Sequence, residues 1–262
     1  IKQLKEVNRN YKKELSRRIE IENKLNEALR KEKELNELKS KFLSLVSHEF
    51  KTPLSGILTS AILLEKYQLT EQQEKREKHL KTITNKVQYL NNILNDFISL
   101  ERLDSSNENY KFKTFNLSRV INEVVYNANM LLKSGQHINI PANTSDYELY
   151  QDEKILELIL SVLIYNAIKY SPENSEINIE ISKSKKNIIF TITDQGLGIP
   201  KNDQKFVYNR YFRGENVLNI KGTGIGLNIA KEHLKNLGGS INFISTENKG
   251  SVFFVELPLI KE

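Results

Sequence analysis

Over the first 100 residues apolar positions recur at helical spacing, and almost nothing interrupts them. Residues 1–40 carry a sparse stripe. A heptad seam runs through Leu4, Val7, Tyr11, Glu14, Arg18, Ile21, Leu25, Ala28, Glu32, Leu35, Lys39, Phe42 and Val46, with nine of these 13 apolar. Leu15, Ile19 and Leu29 sit just beside it. This spacing predicts an imperfect parallel coiled coil, hence a dimer, along a helix of residues 1–37. After Leu38 the stripe broadens through Phe42, Leu45, Val46, Phe50, Leu54, Ile57, Leu58, Ala61, Ile62 and Leu64. A stretch from Gln68 to Glu74, polar except for Leu69, interrupts it. A second run then follows through Leu80, Ile83, Val87, Leu90, Ile93, Leu94, Phe97, Ile98 and Leu100. Residues 38–106 thus read as an antiparallel helical hairpin. One hairpin cannot cover so wide an apolar face, whereas two from a dimer make a four-helix bundle.

Beyond residue 110 the period changes. Asn116-Leu-Ser118 opens a helix expected to reach Lys133, and Gln136–Pro141 reads as a strand. Asp152 caps a helix of residues 153–170, closed by Ser171-Pro172. Residues 176–182 and 187–194 alternate in polarity and form a hairpin, as do residues 240–245 and 251–257. A helix near residues 225–237 ends at Gly238-Gly239. Nine of the 11 glycines lie beyond residue 190, and Pro53 is the single proline of the first 104 residues. The polar stretch Asp104-Ser-Ser-Asn-Glu-Asn109 marks the expected boundary between an all-α part and an α+β domain of residues 107–262, a mixed sheet with helices on one face.

Composition narrows the chemistry. The chain has 262 residues, enough for one large or two ordinary domains, and its formal charge is 39 − 33 = +6. It has no cysteine, which excludes disulfides, thiolate metal sites and cysteine nucleophiles. No apolar stretch approaches the roughly 20 residues of a membrane span. The chain starts at Ile1 with no signal-peptide pattern, so a fragment of a longer protein is expected. Lys183-Ser-Lys185-Lys186 is read as a solvated face, and no nucleic-acid partner is expected.

The first candidate for chemistry is Ser47-His48-Glu49-Phe50-Lys51-Thr52-Pro53-Leu54. His48 falls about 200° round the helix from Val46, facing solvent rather than the bundle core. Glu49 can accept from one imidazole nitrogen and leave the other nucleophilic. Pro53 removes a donor one turn on and should bend the helix. His79, His137 and His233 have no comparable surroundings. In the second half, Asn166 near the end of an apolar helix is either a hard-cation ligand or a satisfied core amide. Asp194 ends a strand beside Gly196 and Gly198, where a buried carboxylate suits a ligand amino group. Gly222-Thr-Gly-Ile-Gly226 opens a helix, leaving backbone N–H groups open to an anion. Arg210 and Arg213 lie between these clusters and suit phosphate oxygens. Neither glycine cluster is a P-loop, for no Lys-Ser/Thr follows, nor a dinucleotide fingerprint, for Leu227 stands where its third glycine belongs.

Together, in this order, these motifs resemble the sensor histidine kinases of two-component signalling. Residues 47–54 resemble the family's H box, Asn166-Ala-Ile-Lys169-Tyr170-Ser171 its N box, and Asp194-Gln-Gly-Leu-Gly198-Ile199 its D-x-G-x-G box. Residues 207–215 resemble its F box, and Gly222-Thr-Gly-Ile-Gly-Leu227 its second glycine box. The resemblance spans about residues 38–258. It implies a dimerisation and phosphotransfer domain followed by a catalytic domain of the Bergerat ATP-binding fold. It also implies ATP and Mg²⁺ as cofactors, His48 as phospho-acceptor, Glu49 as its base and Asn166 as Mg²⁺ ligand. Lys169, Arg210 and Arg213 would face phosphates, Tyr170 would line the pocket, and Asp194 would bind the adenine amino group. Gly222, Gly224 and Gly226 would form the lid, and Gly196, Gly198, Ile199, Thr223 and Leu227 complete the nucleotide set. Thr52 stands where the family removes phosphoryl from its partner, implying a bifunctional protein; the bland alternative is a threonine bonded back to a helical carbonyl.

One departure is Val162, where the family often has a second Asn and the ATP-hydrolysing relatives of the fold a Glu. The expected activity is therefore ATP-dependent phosphorylation of His48 and transfer to an Asp on the receiver domain of a response regulator. The expected setting is the cytoplasm, as a soluble kinase or part of a membrane sensor whose sensor domain precedes Ile1. Two rivals are an ATPase of the same fold and a scaffold with a degenerate kinase domain. Val162 and the His48-Glu49 pair oppose the first, and the filled boxes oppose the second.

Overall fold

The computed structural model describes residues 2–67, 70–104, 110–217, 219–220 and 222–259. Residues 105–109 of the expected boundary stretch Asp104–Asn109 lie outside them, as do the side chains of the seam positions Leu4, Val7, Leu35, Lys39 and Phe42. Contacts divide the chain into two units, Ile1–His48 and Glu49–Glu262.

The first unit is helical and belongs to α1 (Lys2–Lys66). Few helix breakers and i,i+4 ion pairs favour it: Glu14 with Arg18, Glu20 with Lys24, Glu27 with Lys31 and Arg30 with Glu34. Each such exposed pair adds about 0.2–0.5 kcal/mol. The described apolar seam residues Tyr11, Ile21 and Leu25 are exposed in the single chain, as are Leu15, Ile19 and Leu29.

The second unit opens with the remainder of α1, which runs as helix through the buried Pro53. It is followed by α2 (Gln73–Asp104). Gly56 of α1 lies under Lys86 of α2, so a Cβ there would meet the lysine stem. Ile93 and Leu100 are buried, whereas Leu54, Leu58, Ile62, Leu80, Val87 and Leu94 are exposed.

An α/β sandwich follows. Its strands are β1 (Phe112–Asn116), β2 (His137–Asn139), β3 (Glu148–Asp152), β4 (Glu176–Lys183), β5 (Asn187–Thr193), β6 (Ser240–Thr246) and β7 (Gly250–Pro258). Its helices are α3 (Leu117–Asn129), α4 (Glu153–Tyr170) and α5 (Gly226–Asn236). Five strands form a sheet in the order β2-β4-β5-β7-β6, with β2 parallel to β4 and every other pair antiparallel. β1 and β3 pair antiparallel in a separate ribbon, Phe115 opposite Leu149. Period-2 alternation sends Ile188, Phe190 and Ile192 of β5 and Phe253, Val255 and Leu257 of β7 into the core. There they meet Leu156, Ile159, Leu160, Leu163 and Ile164 of α4, in one cluster with Val120, Ile121 and Val124 of α3 and Ala230 and Leu234 of α5. Burying each such side chain contributes about 1.5–3 kcal/mol.

The caps are those expected. Asn116 accepts at Oδ1 from the Ser118 N–H (3.0 Å), and Asp152 accepts at Oδ1 from the Lys154 and Ile155 N–H groups (3.0 and 3.2 Å). The other Asp152 oxygen accepts from the Lys111 N–H at 2.6 Å, tying α4 to the start of β1. Glu153 lies under Lys113 and Arg119, and the hydrogen bond from Lys113 holds its carboxyl below the usual range. Three details differ from the sequence expectation. β1 and β3 were not anticipated, α3 ends at Asn129 rather than Lys133, and β2 is three residues long.

Candidate functional site

The C-terminal turn of α4, the loop after β5, the segment before α5 and one face of α2 enclose a cavity of about 470 Å³. α4 is buried along one side by its apolar stripe, so its last turn delivers Asn166, Lys169 and Tyr170 to the cavity wall. Val162, one turn before Asn166, also lines it. A Cβ on Gly226 would meet Val162 Cγ1 at 3.1 Å, so the valine packs against the start of α5.

Asp194 follows β5 and is 8% exposed. Its Oδ1 accepts from the Gly196 N–H (2.8 Å) and the Ser251 N–H (3.1 Å). Burial pushes its carboxyl above the usual carboxylate range, and those backbone hydrogen bonds offset part of the shift. Gly198, at φ 62°, lies against the Thr246 carbonyl and leaves no room for a Cβ. The Ile199 N–H donates to Ser245 Oγ at 2.8 Å. Both Gly198 and Ile199 line the cavity, whereas Gly196 acts from behind through Asp194.

The glycine segment reaches the wall with Gly222, Thr223, Gly224, Gly226 and Leu227. Gly224 takes φ 72° and lies on the backbone of residues 211–212, where a Cβ would come within 2.7 Å of the Phe212 carbonyl oxygen. Arg213 lines the cavity and donates to the Val217 carbonyl (3.0 Å) and to that of Ile220. Lys169 Nζ donates to the Tyr170 hydroxyl at 3.0 Å. Arg210 is not among the lining residues: its Nε donates to Asn228 Oδ1 (3.2 Å), while Asn228 Nδ2 donates to the Tyr208 carbonyl (2.9 Å). The buried Asn228 thus ties the residue 208–210 segment to α5. Tyr208 is also partly buried, which pushes its phenol up to about 12.

Several wall residues went unnoticed in the sequence. Tyr89, Asn92 and Ile93 come from α2, Ser251 and Phe253 from β7, and Lys133 from the loop after α3. Lys133 Nζ donates to the carbonyls of Lys169 (2.8 Å) and Ser171 (2.5 Å). None carries a local motif. Tyr89, Asn92 and Ile93 share the i, i+3, i+4 spacing of one helical face, the single signal that could have grouped them.

On α1, His48 is exposed, as its helical phase predicts, and Thr52 is half-buried. Glu49 is buried and its Oε2 accepts from the Tyr89 hydroxyl. Among the described residues no cluster of three His, Cys, Asp or Glu side chains could hold a metal ion. No described helix is long and apolar enough to cross a membrane.

His48 on α1 is exposed, and the sandwich carries the cavity. The family model described as "His Kinase A (phospho-acceptor) domain" matches residues 38–106. The model described as "Histidine kinase-, DNA gyrase B-, and HSP90-like ATPase" matches residues 151–261. The chain is 31% identical over 234 residues to "Histidine kinase P4" of Formosa agariphila, across 86% of this chain and 17% of that protein. It is 32% identical over 256 residues to "Signal transduction histidine-protein kinase BarA" of Escherichia coli, across 92% of this chain and 27% of that protein. The crystal structure of histidine kinase ThkA in complex with response regulator protein TrrA shares the fold. There the TM-score is 0.56 at 23% identity, over 84% of this chain and 61% of that one. The chain belongs to the sensor histidine kinases of two-component signalling. It spans less than a third of the length of the two relatives named.

Proposed function

We propose that this chain is the core of an ATP-dependent protein-histidine kinase. An imidazole nitrogen of His48 attacks the γ-phosphorus of ATP, the bond to the β-phosphate oxygen breaks, and ADP leaves. Glu49 takes the imidazole proton. The phosphoryl group then passes to an Asp carboxylate of a response regulator. The observation that carries this reading is the cavity, where residues of the N box, the D-x-G-x-G box, the F box and the second glycine box converge.

Positioning and charge neutralisation lower the barrier to phosphoryl transfer more than proton transfer does. Asp194 offers its carboxylate to the adenine amino group, with Oδ1 already fixed by two backbone N–H groups. Lys169 and Arg213 supply positive charge at the wall. Arg210 faces phosphate as well in this reading, while its Nε, held by Asn228, braces the segment carrying Arg213. Gly222, Thr223 and Gly224 supply backbone N–H groups.

The donor set fits Mg²⁺. The ion takes one or two protein oxygens and completes its shell with phosphates and water. Asn166 presents one amide at the wall, with Val162 beside it offering none. When bound, Mg²⁺ neutralises phosphate charge. Asn166 would hold it and thereby help orient the triphosphate.

The reading extends to partners and place. The exposed apolar faces of α1 and α2 fit a second copy of this chain, making a homodimer. The domains are residues 1–37 as signalling helix, 38–106 as dimerisation and phosphotransfer domain, and 107–262 as catalytic domain. A cytoplasmic setting follows from the need for ATP and a response regulator. Thr52, one helical turn after His48, would position a water against the regulator's aspartyl phosphate and make the protein its phosphatase as well.

Label from γ-labelled ATP tests the kinase reading. It should stay on the protein in alkali, leave in acid, and be absent from His48→Ala, which still binds ATP. Wild-type labelling of His48→Ala would remove the acceptor role.

A further inference from the structure

Glu49 is only 5% exposed, and a carboxylate so placed needs donors. The hydroxyl of Tyr89, on α2, supplies one to Oε2. The same tyrosine stands in the wall of the nucleotide cavity with Asn92 and Ile93. One side chain therefore touches both the acid that follows His48 in sequence and the space assigned to ATP. All of these residues belong to the Glu49–Glu262 unit.

Chemistry gives this contact a direction. A base that must receive a proton from an imidazole works best when its rotamer is fixed and a third group orients it. A phenol donating to one carboxylate oxygen does this while leaving the other oxygen able to accept. The same residue forms part of the cavity wall.

We infer that Tyr89 is a positioning residue for phosphoryl transfer: its hydroxyl orients Glu49 while its ring closes the nucleotide cavity. The inference rests on Glu49 acting as the base.

The test is autophosphorylation of the full chain across a range of ATP concentrations. Tyr89→Phe keeps the ring and deletes the donor, so kcat should fall about tenfold while KM for ATP stays within about twofold, since a misplaced group costs rate rather than binding. Combining it with Glu49→Gln should give a protein no slower than Glu49→Gln alone, because both changes act through one carboxylate. Replacing Tyr89 by 4-aminophenylalanine, which keeps the ring and puts an N–H donor where the hydroxyl was, should recover to within about threefold of wild type. Glu49→Gln measured alone separates the two ideas: wild-type turnover there removes the base itself. If Glu49→Gln is slow but Tyr89→Phe is as fast as wild type or faster, or if the two losses multiply, Tyr89 does not position the base. Should Tyr89→Phe fail to fold, the 4-aminophenylalanine variant decides. Folded and as slow as Glu49→Gln, it overturns the inference; near wild type, it supports it.

Discussion

Replacing Asp194 by Asn changes one atom, and the surroundings of that residue fix what should follow. The amide oxygen can take over Oδ1, which accepts from the Gly196 and Ser251 N–H groups at 2.8 and 3.1 Å. The amide NH₂ then occupies the remaining position, aimed at a ligand amino group that also donates. A hydrogen bond to a charged acceptor is worth about 1.5–3 kcal/mol, so ATP affinity should fall about ten- to 150-fold. Stability should move the other way. Burial holds the folded carboxyl above its unfolded pKa, so between those two values the folded state binds more protons than the unfolded one. Stability therefore declines as pH rises through that window, and the cost is fully present above the folded pKa. Asparagine carries no such cost. At neutral pH the nucleotide-free variant should melt at or slightly above wild type, while the rise in melting temperature on adding ATP largely disappears. Calorimetric titration and thermal melts at two pH values read both quantities. Affinity within a factor of two of wild type would refute the amino-group role. A nucleotide-free melting point several degrees lower would mean that the carboxylate is chiefly a brace for the loop after β5.

Asn166→Ala should weaken Mg²⁺-ATP binding much more than metal-free nucleotide binding, since a hard cation prefers an oxygen ligand; equal losses would make Asn166 a structural amide. The chain should sediment as a dimer without nucleotide, because Leu54, Leu58, Ile62, Leu80 and Leu94 are exposed in a single copy; a monomer at micromolar concentration would refute the bundle. Thr52→Ala should leave labelling of His48 largely intact but slow dephosphorylation of the regulator about tenfold or more, the scale of one lost positioning contact. The phosphatase role fails if the wild-type protein does not accelerate that step.

Local signals carried much of this molecule. Asp152 and Asn116 were readable as caps because a cap is decided within three residues. The strands β5 and β7 alternate cleanly because one face is buried. β1 and β3 escaped because each is short and polar. Only Phe115 of β1 is a buried apolar residue, and β3 buries Gln151 and Asp152 beside Leu149. Their pairing, Phe112 opposite Asp152, closes a long loop that no local window contains. The wall divides the same way. Asn166, Asp194 and the glycines announce themselves through composition, whereas Tyr89, Lys133 and Ser251 reach the cavity only through tertiary packing. The Arg210 Nε also bonds to Asn228, a partner 18 residues away that spacing alone could not reveal.

The end of α4 that lines the cavity is the C-terminal end of a helix, whose open carbonyls carry roughly half a negative charge. Such an end repels the polyphosphate that the opposite walls are built to attract. Lys133 sits on those carbonyls, donating to Lys169 and Ser171. Its ammonium cancels the field at its source while also fastening the loop after α3 to α4. Beside Lys169 and Arg213, the local potential of the wall is therefore shaped by a lysine whose hydrogen bonds are spent on the backbone. A neutral residue of similar length at position 133 would leave every proposed nucleotide contact in place and still make the cavity a poorer host for anions, increasingly so as salt is withdrawn.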